Sequence, residues 1–202
     1  MARVKLGILG GTFDPVHQGH LILAEWARGE LALESVLLVP AGLPWRKAER
    51  SIGAVEHRLA MLRLAIADNS AFELSTMEME RSGASYTADT LERLHELRPG
   101  SELFFILGQD ALADLPNWRR PQRILELATL AVACRSGPES IALDEVERKL
   151  PGLSGRLVWL GMPRVEVSAS LIRERVRKGL SIRYLVPDAV EAYIREQGLY
   201  RM

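Results

Sequence analysis

The chain has 202 residues, 26 of them basic and 26 acidic, so it carries no formal net charge. That balance argues against a duplex nucleic-acid binder, which gathers a basic excess. No apolar run approaches the roughly 18 residues of a membrane span.

A single cysteine, Cys134, leaves no internal disulfide, and no Cys/His spacing resembles a zinc site. The opening MARVKLGILGG lacks the long apolar core of a signal peptide. The expectation is a cytoplasmic protein whose residues 1–202 form one domain, with a homo-oligomer allowed.

In chain order, short β-like runs alternate with longer helical ones. Residues 3–9 (RVKLGIL) read as a buried strand ending at Gly10-Gly11. Leu21, Leu23, Ala24, Ala27 and Leu31 then form the buried stripe of a helix. Residues 35–40 (SVLLVP) are a second strand, stopped by Pro40, and 41–53 form a polar, basic loop. The spacing predicts a helix over 54–67, a strand at 72–75 and, after the turn-like RSGAS, a helix over 86–97. ELFFILG (102–108) and ATLAVACR (128–135) are the clearest later strands, joined by a broken helical stretch. A last strand (156–161) precedes helical segments near 169–179 and 187–197.

Strands alternating with helices predict right-handed crossovers and a parallel sheet. The expected fold class is α/β: a Rossmann-like parallel sheet flanked by helices, with a small helical segment over about 168–202. Such sheets bind ligands outside the carboxyl ends of their strands, where the unusual loops of this chain fall.

The stretch GILGGTFDPVHQGH (7–20) is the most unusual. It lacks the third glycine of a dinucleotide fingerprint and the G-K-[ST] of a P-loop. Gly10 and Gly11 still let a ligand approach the backbone, and the following helix aims its amides at an anion. His17 and His20 are three apart at the helix entrance, so both lie on one face. Alone, either would read as a surface or cap residue. As a pair beside Gly11, Thr12 and Pro15, they read as donors that gather charge on a phosphoryl group.

The pattern G-x-F-D-P-x-H-x-G-H resembles the signature of the nucleotidyltransferase superfamily, and GGTFDPVHQGHL is most similar to the bacterial nicotinate-mononucleotide adenylyltransferases. The similarity spans essentially the whole chain. GASYTADTL (83–91) resembles that family's S-Y-T segment, FILGQDAL (105–112) its I-G-x-D, and Trp118 its ring-stacking tryptophan. VSASLIRERV (167–176) resembles the I-S-S-T-x-I-R element, and EAYIREQGLY the C-terminal helix.

The resemblance implies roles residue by residue. His17, His20, Lys47 and Arg173 would be catalytic. Gly10, Gly11, Thr12, Phe13, Gly108, Asp110 and Arg135 would hold the nucleotide, with Ser168 and Ser170 joining Arg173 on the ATP β- and γ-phosphates. Asp14, Ser85, Tyr86, Thr87 and Trp118 would bind the mononucleotide. Plainer readings stand beside these: Ser168 and Asp110 as helix caps, Trp118 as packing, Arg135 as a strand end. The family's P-P-H-K or P-P-H-R loop reads LPWRK here (43–47), with Trp45 and Arg46 replacing proline and histidine. The charge at Lys47 is kept, some loop stiffness is lost, and Trp45 could pack over the entrance.

The reaction implied is adenylyl transfer from ATP to nicotinate mononucleotide, with Mg²⁺ carried by the ATP phosphates and no protein metal ligands. The two nucleotides would be the partners, with no nucleic acid and no membrane. Rival readings are a nicotinamide-preferring or dual enzyme, a phosphopantetheine adenylyltransferase, a cytidylyltransferase, and a non-catalytic nucleotide sensor.

Overall fold

The computed structural model describes residues 3–44, 53–81, 83–133 and 143–201. The first part of the chain forms β1 (Lys5–Gly11), α1 (Gln18–Leu31), β2 (Ser35–Pro40), β3 (Leu43–Pro44), α2 (Val55–Ile66) and β4 (Phe72–Leu74). Next come β5 (Ala84–Ser85), α3 (Thr87–Leu97), β6 (Glu102–Gly108), α4 (Gln109–Asp114), α5 (Pro121–Leu127) and β7 (Ala128–Ala133). The chain continues through α6 (Leu143–Lys149), β8 (Leu157–Leu160), α7 (Ala169–Arg177) and α8 (Asp188–Glu196).

The main sheet has 6 strands in the order β4-β2-β1-β6-β7-β8, and all its pairings are parallel. Its strands are nearly continuous apolar runs because both faces are covered. In β1, Leu6 and Ile8 join one core layer while Leu9 joins the other. Likewise Val36 and Leu38 of β2 face the layer opposite to Leu37 and Val39. The Leu9 layer takes Ala24 and Ala27 of α1, Met61 and Leu62 of α2, Ile172 of α7, and Val190 and Ile194 of α8. The Leu6 layer takes Leu91 and Leu94 of α3, Leu112 of α4 and Ile124 of α5. The helical C-terminal segment thus buries its apolar stripe in the Leu9 layer.

From β1 the sheet grows through β2 to β4 on one side, then restarts with β6 on the other. The order reverses between β1 and β6, so loops leaving their carboxyl ends diverge and open a crevice there.

The structure revises some boundaries. The β1 ladder starts at Lys5 rather than Arg3 and closes on Gly10 and Gly11, opposite Val39 and Pro40. Leu43–Pro44 and Ala84–Ser85, read as loop and turn, form a separate 2-stranded parallel pair. Two residues are too few to show any periodicity. Cys134 and Arg135, expected to extend the strand from 128, lie outside the described residues, as do Trp45, Arg46 and Lys47. Among the described residues no helix is long and apolar enough to cross a membrane.

Candidate active site

Gly10, exposed at the carboxyl end of β1, leads into Thr12–His17. Phe13 takes a left-handed backbone (φ 50) and is only 1% exposed, with its side chain in the core, so only its main chain is offered to the crevice. The Asp14–Pro15 peptide is cis. His17, almost fully buried, is the extended N-cap of α1.

The rings of His17 and His20 stack with centroids 3.7 Å apart and planes 28° from parallel. The His17 backbone N–H donates to His20 Nδ1 at 3.2 Å. An N–H can only donate, so Nδ1 is the acceptor and a neutral His20 carries its proton on Nε2, the edge away from its own helix turn. Gly19 leaves room beside the stack: a Cβ there would lie 3.1 Å from His17 Nδ1. It would also lie 3.5 Å from the Val167 carbonyl, so the entrance to α1 and the lead into α7 are neighbours.

Beneath this turn lies a buried charged hub. Arg58 of α2 is 1% exposed and Asp14 is 4% exposed. Arg58 Nη1 donates to the carbonyls of Thr12 (3.0 Å) and Ala41 (2.9 Å), and its Nε to that of Gly53 (3.2 Å). Asp14 Oδ2 accepts from the Gly53 N–H at 3.0 Å, and Oδ1 from the Tyr200 hydroxyl at 2.7 Å. Burial pushes the Arg58 guanidinium down from its ordinary value, with the Asp14 carboxylate leading the groups that oppose the shift. Burial, then the hydrogen bond to Asp14, pushes the Tyr200 hydroxyl up, so it remains a donor at neutral pH.

Ser168 caps α7, its Oγ accepting from the Leu171 N–H at 3.2 Å. One turn on, Arg173 Nη2 donates to Ser170 Oγ at 3.4 Å, and Nη1 to the Asp14 carbonyl at 2.6 Å. Ser168 and Ser170 are exposed and Arg173 is half-buried. The first amide of α1, that of Gln18, donates to the Leu185 carbonyl at 2.9 Å, which removes it from any anion.

Next to β1, the carboxyl end of β6 carries Gly108 as the N-cap of α4, with Asp110 exposed in its first turn. A small cavity of about 60 Å³ lies between Gly19 and Leu23 of α1, Gly108, Ala133 and residues 162–165. Its far wall, from Met162 to Val165, escaped sequence reasoning because no motif residue marks it.

A second cluster lies at the start of α3. Tyr86 is its extended N-cap and Thr87 its first residue. The Arg119 guanidinium sits over the Tyr86 ring, 4.4 Å from its centroid. Half-buried Trp118 meets Phe105 edge-on, with centroids 6.1 Å apart, and its Nε1 donates to Asp114 Oδ2 at 3.0 Å. Ser85 Oγ accepts from the Gly42 N–H at 3.2 Å, which ties this cluster to the loop held by Arg58. Burial pushes the nearby Glu78 carboxyl up, against hydrogen bonds from Thr90 and Ser85.

The fold therefore gathers Gly10 to His20, Gly108, Asp110, Ser168, Ser170 and Arg173 at the β1–β6 crevice. It sets Ser85, Tyr86, Thr87 and Trp118 together beyond it. Lys47 and Arg135 lie outside the described residues. Sequence reasoning missed Arg58, Arg119 and Tyr200, each an arginine or tyrosine in a helix or loop with no local mark of its partners.

Residues 8–175 match the profile of the cytidylyltransferase-like family. A relative from Roseiflexus sp. (strain RS-1), named "Probable nicotinate-nucleotide adenylyltransferase", is 50% identical over 202 residues, covering 100% of both chains. One of the same name from Dehalococcoides mccartyi (strain CBDB1) is 46% identical over 201 residues, covering 99% of this chain and 98% of its own. In fold, the chain superposes with a TM-score of 0.80 on Plasmodium falciparum nicotinic acid mononucleotide adenylyltransferase complexed with NaAD. That likeness covers 98% of each chain at 21% identity, which speaks to the fold alone.

Proposed function

The chain belongs to the cytidylyltransferase-like family, and on that premise we propose its reaction: transfer of AMP from ATP to nicotinate mononucleotide, giving deamido-NAD and pyrophosphate in NAD biosynthesis. Full-length relatives at 46% and 50% identity carry this activity in their names. The observation that carries the reading is the convergence of the stacked His17–His20 pair and Arg173 on one short loop, Thr12–His17.

The acceptor phosphate is already a nucleophile at neutral pH. One of its oxygens attacks the α-phosphorus of ATP in line, a P–O bond forms, and the bond to the β-phosphate oxygen breaks with its electron pair leaving on pyrophosphate. No side chain has to become a covalent intermediate or remove a proton. The protein's task is to hold two anions in line and to neutralise the charge that develops between them.

For that task, His20 offers Nε2–H and His17 its ring to the α-phosphate. Arg173, with the hydroxyls of Ser170 and Ser168, holds the β- and γ-phosphates. Main-chain groups of Gly10, Gly11, Thr12 and Phe13 line the nucleotide, with Gly108 and Asp110 at its ribose. Asp14 acts from beneath, because its buried carboxylate already takes Gly53 and Tyr200. Lys47 and Arg135 keep the roles that the family resemblance implies.

Tyr86, Thr87 and Ser85 take the acceptor's carboxylate end, and Trp118 stacks on its pyridine ring. Arg119, held over Tyr86, favours the acid over the amide mononucleotide by charge. Among the described residues no group of 3 or more His, Cys, Asp or Glu side chains could hold a metal ion. Mg²⁺ enters with ATP, bound by its phosphates, and the site of action is the cytoplasm.

The test is pyrophosphate release from ATP and Mg²⁺ with nicotinate or nicotinamide mononucleotide as acceptor. A much higher kcat/KM with the acid supports the reading. Equal values would make the enzyme dual-specific, and release with neither would overturn it.

A further inference from the structure

Tyr200 lies 186 residues from Asp14 in sequence, yet its hydroxyl donates to Asp14 Oδ1 at 2.7 Å. The chain is steered there by the end of α8. The Leu199 N–H returns to the Ile194 carbonyl (3.0 Å) and the Gly198 N–H to that of Arg195 (3.3 Å). This Schellman turn needs a left-handed residue, and Gly198 supplies it at φ 62. Leu199 and Tyr200 then pack against the core layer formed by α2 and α8. The hydroxyl reaches a carboxylate that is 4% exposed, whose other oxygen is held by the Gly53 N–H.

Asp14 thus works from both ends. Its carboxylate is fixed by Tyr200 and Gly53, and its carbonyl accepts from Arg173 Nη1 at 2.6 Å. We propose that Tyr200 is a positioning residue for the phosphate grip, setting through Asp14 the carbonyl that aims the Arg173 guanidinium. The proposal rests on the reading of Arg173 as a holder of the ATP β- and γ-phosphates. Tyr200 itself touches no substrate. Its hydroxyl restrains the Asp14 side chain, which limits rotation of the backbone carrying that carbonyl. Without the restraint, Arg173 keeps its charge but samples orientations that do not match a polyphosphate, so donor binding weakens and acceptor binding does not.

The test compares wild type, Tyr200→Phe, Asp14→Ala, the double variant and Arg173→Ala. Tripolyphosphate binding is measured by calorimetry, and KM for ATP and for nicotinate mononucleotide by pyrophosphate release. Phenylalanine keeps the packed ring and removes only the donor. Tripolyphosphate Kd and KM for ATP should each rise about tenfold in Tyr200→Phe, as for a lost hydrogen bond to a charged group. KM for the mononucleotide should stay within about twofold, a split that general loosening would not produce. In the Asp14→Ala background, which leaves the Tyr200 hydroxyl no acceptor, Tyr200→Phe should add nothing further.

Unchanged tripolyphosphate affinity in Tyr200→Phe overturns the proposal, as do additive effects in the double variant. Wild-type affinity in Arg173→Ala removes the grip itself, and the proposal with it. A wild type that binds tripolyphosphate but fails to use the mononucleotide ends the acceptor reading alone, leaving Tyr200 to be judged by the binding data. Should Tyr200→Phe not fold, the Asp14→Ala pair decides, since that background carries no buried carboxylate to strand.

Discussion

Arg173 donates a 2.6 Å hydrogen bond to the main-chain carbonyl of Asp14, 159 residues earlier in the chain. The contact fastens the first turn of α7 to the loop that follows β1, so a guanidinium and two histidines meet at one short loop.

The charge-gathering role proposed for His20 should separate activity from stability. His20→Ala should lower kcat by about a hundredfold, as for loss of one preorganised donor to a developing charge (~3 kcal/mol). Its hydrogen bond from the His17 N–H is worth only about 1 kcal/mol to the fold. Steady-state kinetics beside denaturant unfolding checks this, and equal losses in both would remove the catalytic role.

Arg58 should behave in the opposite way. Its guanidinium holds the carbonyls of Thr12, Ala41 and Gly53 and sits near the Asp14 charge. Arg58→Met leaves those carbonyls without donors and a buried carboxylate without its cation, a loss of about 3 kcal/mol or more in unfolding free energy. Arg58→Lys keeps the charge but cannot span three carbonyls, so its midpoint in urea should fall between those of wild type and Arg58→Met.

Arg119 lies over Tyr86 at the start of α3. Arg119→Ala should reduce the preference for the acid over the amide mononucleotide by about tenfold, mainly through a higher KM for the acid. The ratio of the two kcat/KM values measures it, and an unchanged ratio would leave discrimination to the helix terminus and Trp118.

Acid should loosen the contact between α3 and the start of α5. Hydrogen bonds from Arg120, then Arg123, hold the Glu92 carboxyl down at about 2 from an ordinary 4.5. Because the folded value is depressed, its contribution is fully present above pH 4.5 and is lost as pH falls towards 2. Glu92 is half-buried at the surface, so salt weakens the interaction. Unfolding followed across that range should show Glu92→Gln flattening the acid slope at low ionic strength, with less difference at high.

The strands and helices were legible because each carries its own periodicity. The apolar runs at 35–40 and 102–108 and the stripes within 54–67 and 86–97 need no distant information. Alternation of the two types fixes a parallel sheet, and a parallel sheet fixes the edge at which the loops gather. The paired histidines of 17–20 and the Ser-x-Ser-x-x-Arg of 168–173 stood out for the same reason, since their spacing places them at helix entrances. Two-residue strands such as β3 and β5 are too short for any pattern.

The sequence alone thus determined the sheet, its helices and the edge where its candidate site residues fall. Only the tertiary structure decided how that edge is held together. Arg58 binds main-chain carbonyls, which every residue possesses and no residue type announces. Tyr200 and Arg173 reach Asp14 across 186 and 159 residues, and only the packing of α7 and α8 on the sheet closes those distances. Spacing along a chain reports what one element presents to its surroundings, whereas the partner it meets depends on where the other elements come to rest.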